Sequence, residues 1–256
     1  MLQDERTERI VQYINKQGFV KTNELIDLFN VSKPTIIRDL LKLEKDGSII
    51  RTHGGAKSIH KGTNFEPTHM TKEQTSHSEK ESIAIKAKEL VQPGETILLD
   101  SGTTTLMLAK QLVNFENITV ITNDIKIAMC LSDNDSIDLV VLGGQRRKGV
   151  YSLIGPLTES ILNQLHVDKV FLGADAIDLQ KGITNSNIDE SNIKKTMLTI
   201  GNSIILLADS SKFNCAAFMK IDEVSAVHFI ITDNGIHKRI SVKQFKEQGV
   251  EILIAE

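Results

Sequence analysis

A series of short polar clusters, each following an apolar run, carries the residue types that hold small anions and sugars. The first is Asp100, Ser101, Gly102, Thr103, Thr104 and Thr105, where an apolar strand pattern passes into a helix pattern through one glycine and four hydroxyls. Free backbone N–H groups at a helix start, joined by small hydroxyl donors, make a cradle suited to one phosphate group. The GxxxxGK[ST] spacing of a Walker loop is absent, which speaks against an ATPase. Taken alone, the same five residues 101–105 are also a serine/threonine-capped helix start with no ligand.

Further clusters fall at the ends of later apolar runs. These are Asn123 with Thr122 and Asp124, Gly144 after Gly143, Gly173 with Asp175, and Asp209 to Lys212. Glycine lets a backbone approach a ligand closely, and Asn and Asp offer partners to sugar hydroxyls. Between the last two clusters come Asn185, Glu190 and Lys194. Glu190 and Lys194 stand four apart on one helix face, so the bland reading is an exposed ion pair worth only ~0.3–0.5 kcal/mol. The seven histidines show no metal-ligand spacing, and Cys130 and Cys215 are far apart and share no redox motif. No metal, cofactor or catalytic group is expected.

A different chemistry is concentrated near the N-terminus. Ser32, Lys33, Thr35, Arg38 and Lys42 lie along one helix pattern, and Arg51, His53, Gly54 and Lys57 follow it. From residue 48 to 63 there are three lysines or arginines, two histidines and no acid, a composition suited to phosphate backbones. Arg38 is the candidate base reader, since its planar fork can pair two acceptors on one guanine edge.

The elements that position these side chains follow from capping and periodicity. Thr22 and Ser32 are expected to cap two short helices joined by a tight turn at Asn30 and Val31. Leu25, Ile26 and Phe29 form the buried stripe of the first helix. Ile36, Ile37, Leu40, Leu41 and Leu43 form that of the second, which Pro34 opens and Gly47 stops. A hairpin turning at 53–55 completes a winged helix-turn-helix, with its second helix offered to the major groove. The bland alternative is a helical hairpin followed by a solvated basic loop.

Beyond residue 78, helix patterns near 79–91, 103–113, 125–131, 156–165, 189–199 and 242–248 alternate with strand patterns. The strands fall near 96–99, 119–122, 138–142, 169–172, 203–208, 227–232 and 251–254. Such alternation makes an α/β domain with a mostly parallel sheet covered on both faces, whose ligands gather at the carboxyl ends of strands. The expected organisation is a reader at 1–60, a linker at 61–78 and a sensing domain at 79–256.

Composition agrees. A chain of 256 residues that is 40% hydrophobic can bury two cores. Net charge is −3, yet residues 1–60 hold ten Lys+Arg against eight Asp+Glu, so the positive excess sits with the reader. No apolar run reaches transmembrane length and no signal peptide opens the chain, so no membrane partner and a cytoplasmic location are expected.

The N-terminal pattern also resembles the DeoR family of bacterial sugar-responsive transcription regulators. The residues that carry the resemblance are Arg6, Arg9, Ile10, Gly18-Phe-Val, Val31-Ser, Thr35-Ile, Arg38-Asp-Leu, Leu43-Glu, Gly47 and His53-Gly-Gly. It extends over nearly the whole chain and departs at Ile37, where the family carries the first of two consecutive arginines. LDSGTTT, TND, LGG, FLGADAID, GITNSN and LLADSSKF resemble the family's effector-sensing domain, itself similar to ribose-5-phosphate and glucosamine-6-phosphate isomerases. The resemblance implies phosphate binding by residues 101–105, with Asp175, Glu190 and Lys194 lining the sugar end. It also implies a homo-oligomer, dimer or tetramer, that represses a carbohydrate operon at an operator and is relieved by a phosphorylated sugar. Retained isomerase activity with Glu190 as base is the alternative, although the isomerases carry an acid where this chain has Leu172. A sensor that binds no ligand and acts through a protein partner is a third reading.

Overall fold

The computed structural model describes residues 3–46, 48–58 and 62–256; Gly47, expected to stop a helix, lies outside them. The chain forms two compact units, Met1–Thr71 and Lys72–Glu256.

The first unit runs α1 (Gln3–Gln17), β1 (Phe19–Lys21), α2 (Thr22–Phe29), α3 (Lys33–Lys45), β2 (Ile49–Thr52) and β3 (Gly55–Ser58). Antiparallel pairing sets the strand order β1-β3-β2, so the expected hairpin gains a third strand. Gly54 turns the hairpin at a φ of 89°, a left-handed conformation that suits glycine. A side chain at Gly55 would put its Cβ 2.2 Å from the Val20 carbonyl oxygen, so the strands close only over glycine. Ile10, Ile14, Val20, Leu25, Ile36, Leu40, Leu43, Ile49 and Ala56 fill the core.

Three local expectations fail here. Thr22 is the first residue of α2 rather than its cap, which falls on Lys21 without a side-chain bond. Ser32 does occupy the N-cap of α3, but its hydroxyl meets Thr35 Oγ1 at 2.9 Å instead of a backbone N–H. Ile37 and Leu41 leave the buried stripe and are 37% and 47% exposed. At about 100° per residue the buried face of α3 is centred between Asp39 and Leu40, which leaves Ile37 and Leu41 on its flank. The place is taken by Asp39, fully buried and gripped by Arg6 through Nε–Oδ2 at 2.7 Å and Nη2–Oδ1 at 3.3 Å.

Across the boundary of the units in sequence, the stretch expected to be a linker holds α4 (His69–Gln74) and the start of α5 (His77–Lys88). There follow β4 (Thr96–Leu99), α6 (Thr103–Leu112), β5 (Ile118–Thr122), α7 (Ile125–Leu131), β6 (Ile137–Val141), β7 (Gln145–Arg146), β8 (Leu153–Ile154) and α8 (Pro156–Leu162). The chain ends with β9 (Val167–Gly173), β10 (Ala176–Asp178), β11 (Gly182–Asn185), α9 (Ile188–Ile200), β12 (Gly201–Leu207), β13 (Met219–Asp222), β14 (Phe229–Asp233), α10 (Val242–Glu247) and β15 (Glu251–Ala255).

Seven strands form one sheet in the order β15-β14-β12-β9-β4-β5-β6, every neighbouring pair parallel. Alternate residues feed two cores. Leu98, Val170, Leu172, Leu206 and Ile230 pack with Leu162, Ile193, Met197 and Phe245 from α8, α9 and α10. Ile97, Leu99, Phe171, Ile205 and Ile231 pack on the other face with Ile83, Leu108 and Ile127 from α5, α6 and α7. β7 and β8 form a two-stranded ribbon, and β10, β11 and β13 a small antiparallel sheet. Strand order runs outward from β4 to β6 on one side and from β9 to β15 on the other, so the topological switch lies between β4 and β9. A crevice at the carboxyl ends is the expected ligand position.

Candidate functional site

In the first unit the candidate surface is the outer side of α3 with the hairpin. Lys33 and Arg38 are exposed and carry no ion pair among the described residues. Lys42 pairs with Asp4 at 2.9 Å, and Arg51 lies 3.4 Å from Glu44. Thr35 is half-buried beside Ser32, while His53 and Gly54 form the exposed hairpin tip and Lys57 stands exposed on β3. The Thr22 N–H donates to the Gly54 carbonyl at 2.9 Å, which ties the start of α2 to the wing. Lys21, Lys33 and Arg51 face a common depression between these elements. An exposed helix flanked by unpaired cations and a basic wing can sit in a groove between phosphates.

In the second unit the clusters converge at the switch. Asp100, directly after β4, is buried; its Oδ2 accepts from the Gly173 N–H at 2.9 Å and pairs with Lys194. Lys194 Nζ also donates to the Gly173 carbonyl at 3.0 Å. Burial pushes the Asp100 carboxyl up, against the opposing pull of Lys194 and the Gly173 N–H. One buried ammonium thereby joins the ends of β4 and β9 to α9.

α6 opens at Gly102 with no side-chain cap. Ser101 N–H donates to Asn123 Oδ1 at 3.1 Å, Ser101 Oγ to Asp124 Oδ2 at 2.5 Å, and Thr105 Oγ1 to the Gly102 carbonyl at 2.9 Å. Thr103 and Thr104 are buried, and their hydroxyls have no protein partner among the described residues. The loop is braced from behind and its helix dipole faces the crevice without a cap, the geometry of an anion site.

Glu190 and Lys194 do not pair with each other. Glu190 Oε1 accepts from Ser152 Oγ at 2.5 Å and lies 3.4 Å from Arg147 Nε, while Oε2 accepts from Asn185 Nδ2 at 3.1 Å. The exposed i,i+4 pair considered from sequence is therefore excluded. Asp175 Oδ1 pairs with Lys72 at 2.8 Å and Oδ2 accepts from the Ser186 N–H at 2.9 Å. Burial acts to raise this carboxyl, but Lys72 and Lys212 outweigh it and hold Asp175 below the usual carboxylate range. Asp209 is buried and bonds to the Ser211 N–H at 3.0 Å. Lys212 is half-buried nearby. Gly144 has a packing reason to be glycine: a Cβ there would fall 2.2 Å from Thr158 Oγ1.

Several residues of this crevice went unread in the sequence. Lys72 and Lys80 lie in or beside the stretch taken for a linker; Lys80 is 4% exposed, donates to the carbonyls of Lys72 and Thr75, and burial lowers it to about 8. Arg147 and Ser152 lie around the β7–β8 ribbon, where the run Arg146-Arg147-Lys148 just after Gly143-Gly144 was a usable sign of an anion site.

Residues 6–62 match the DeoR-like helix-turn-helix domain and residues 75–234 the DeoR C terminal sensor domain. The chain belongs to the DeoR family. Among its relatives are an HTH-type transcriptional regulator, YulB of Bacillus subtilis, 38% identical over 98% of this chain and 96% of that protein. The HTH-type transcriptional repressor GlcR of the same organism is 33% identical over 100% of this chain and 98% of its own length. GolR of Listeria innocua is 33% identical over 98% of both chains. This DeoR-family regulator therefore pairs a DNA-binding winged helix-turn-helix with an α/β sensor. A partial likeness links it to ribose 5-phosphate isomerase from Methanocaldococcus jannaschii, with a TM-score of 0.41 and 21% identity over 54% of this chain and 55% of that one.

Proposed function

We propose that the protein is a cytoplasmic, homo-oligomeric repressor of a carbohydrate-utilisation operon, relieved by a phosphorylated sugar bound in the second unit. The reader occupies residues 1–60 and the sensor 79–256. The observation that carries the ligand assignment is the uncapped start of α6 at the β4/β9 switch, beside the buried Asp100–Lys194 pair. Phosphate would sit against residues 101–105, and sugar hydroxyls would meet Asp175, Asn185, Glu190 and Lys194.

A sensing role rather than catalysis is supported by Glu190. A base that removes a proton beside a carbonyl needs an oxygen free to reach it. Both oxygens of Glu190 are held by Ser152, Arg147 and Asn185, which fixes the carboxylate as a hydrogen-bond acceptor for a ligand hydroxyl rather than a mobile base. Release of the operator then follows from population shift, in which ligand binds one arrangement of the oligomer better, with a coupling of about 1–3 kcal/mol.

The test is thermal shift and operator release with a panel of sugar phosphates. A ligand at a hundredfold excess over its Kd stabilises the sensor by about 2.7 kcal/mol, and unphosphorylated sugars do little. Thr104→Asp puts a negative charge where the phosphate sits, and Gly102→Val crowds Thr105 Oγ1, 3.2 Å from a Cβ at that position. Both variants should bind operator and ignore the inducer. An unchanged response in both would reduce residues 101–105 to an ordinary helix start. Steady turnover of an aldose phosphate by the purified protein, lost in Glu190→Ala, would refute the non-catalytic reading.

A further inference from the structure

The core side of α3 is complete with Ile36, Leu40 and Leu43, so the helix has no need of further apolar residues. Yet Ile37 and Leu41 stand on its solvent side, 37% and 47% exposed, four residues apart and hence adjacent on the helix surface. Exposed apolar residues that are scattered singly call for no explanation. These two are contiguous, and they share their face with Lys33 and Arg38, cations that have no ion pair among the described residues. A surface built this way fits a partner that presents negative charge and isolated apolar points together. The major groove offers both, phosphates along its walls and the C5-methyl of thymine on its floor.

We infer that Ile37 and Leu41 are specificity residues that read thymine methyl groups next to the base contacted by Arg38. The inference rests on α3 being the reading helix. Methyl contact is short-ranged and works by excluding water, so it separates thymine from cytosine at positions where no hydrogen bond is made. Arg38 would supply the guanine contact and the apolar pair would set the flanking bases.

Full-length protein is first used to select its preferred site from a library of random duplexes. Each thymine in that site is then replaced singly by deoxyuridine, which removes the methyl and leaves the pairing edge intact. One or two positions should lose about fourfold in affinity, the equivalent of one buried methyl-sized group. That loss should vanish in Ile37→Ala or Leu41→Ala, both with unchanged melting temperatures because neither side chain is in the core. A sequence-specific site in which no deoxyuridine weakens the wild type overturns the proposal. So does normal binding by both variants with a lowered melting temperature or a smaller oligomer, which would show the pair packing against protein. Failure to select any sequence would instead remove α3 as the reading helix, and the inference with it.

Discussion

Arg38 and Lys57 are both exposed cations of the first unit, and physical chemistry gives them different work. A guanidinium can pair two acceptors on one base edge, whereas an ammonium on the wing meets phosphates that are alike at every sequence. Arg38→Ala should therefore cost about 1–3 kcal/mol on the specific site and relax one base position. Lys57→Ala should weaken specific and random duplexes equally and flatten the salt dependence. Fluorescence anisotropy with both duplexes at several salt concentrations separates the two. Equal affinity of wild type and Arg38→Ala for the specific duplex would mean another side chain reads the guanine. At the same scale, Glu190 and Lys194 show how sequence spacing misleads: four residues apart, each pairs with a residue distant in sequence instead.

Among the elements, α3 depends on a residue it would be expected to reject. Asp39 is buried on the core side and held by Arg6 from α1. Removing one partner leaves a buried charge uncompensated, so Asp39→Ala should destabilise the first unit by about 3–5 kcal/mol. Chemical denaturation followed by far-UV circular dichroism would show an early transition in the variant; an unchanged curve would mean the pair is replaceable by water. Nothing in local sequence announces this pair, because the partners lie 33 residues apart. The seven parallel strands, by contrast, were legible: the five inner ones are largely buried on both faces and the edge strands β6 and β15 are still mostly apolar, so each reads as a short apolar run. β7, β8 and β10 are two or three residues long, too short to leave a period, and their pairing depends on partners elsewhere. The strand-to-helix turn at residues 101–105 was legible because glycine and hydroxyls crowd one strand end. Its surroundings were not, since Lys72, Lys80 and Arg147 are ordinary surface residue types until the fold buries them.

For the whole molecule, Lys80 sets a pH signature. Burial lowers it to about 8 from an ordinary 10.5, so the unfolded chain keeps this proton to higher pH than the folded one. The cost of burying the charge is fully present below pH 8 and disappears as pH rises toward 10.5, a contribution of about 3 kcal/mol to unfolding. Relative to Lys80→Met, the wild type should gain stability across that interval in denaturant titrations. Parallel curves for the two would mean the ammonium is not desolvated. A second lysine has a wider reach. Lys72 and Glu73 of α4 grip Asp175 and Lys126 within the second unit, and the same helix runs back in sequence to His69 of the first. The crevice thus arrives with a tenant of its own: under the proposed function, a sugar hydroxyl that takes the Asp175 oxygen held by Lys72 competes with an ammonium rather than with water. Lys72→Met should accordingly tighten the sugar phosphate in calorimetry, and weaker binding would mean Lys72 is itself a ligand. Occupancy of the crevice and the hold of α4 on Asp175 are thereby settled by one competition within the second unit.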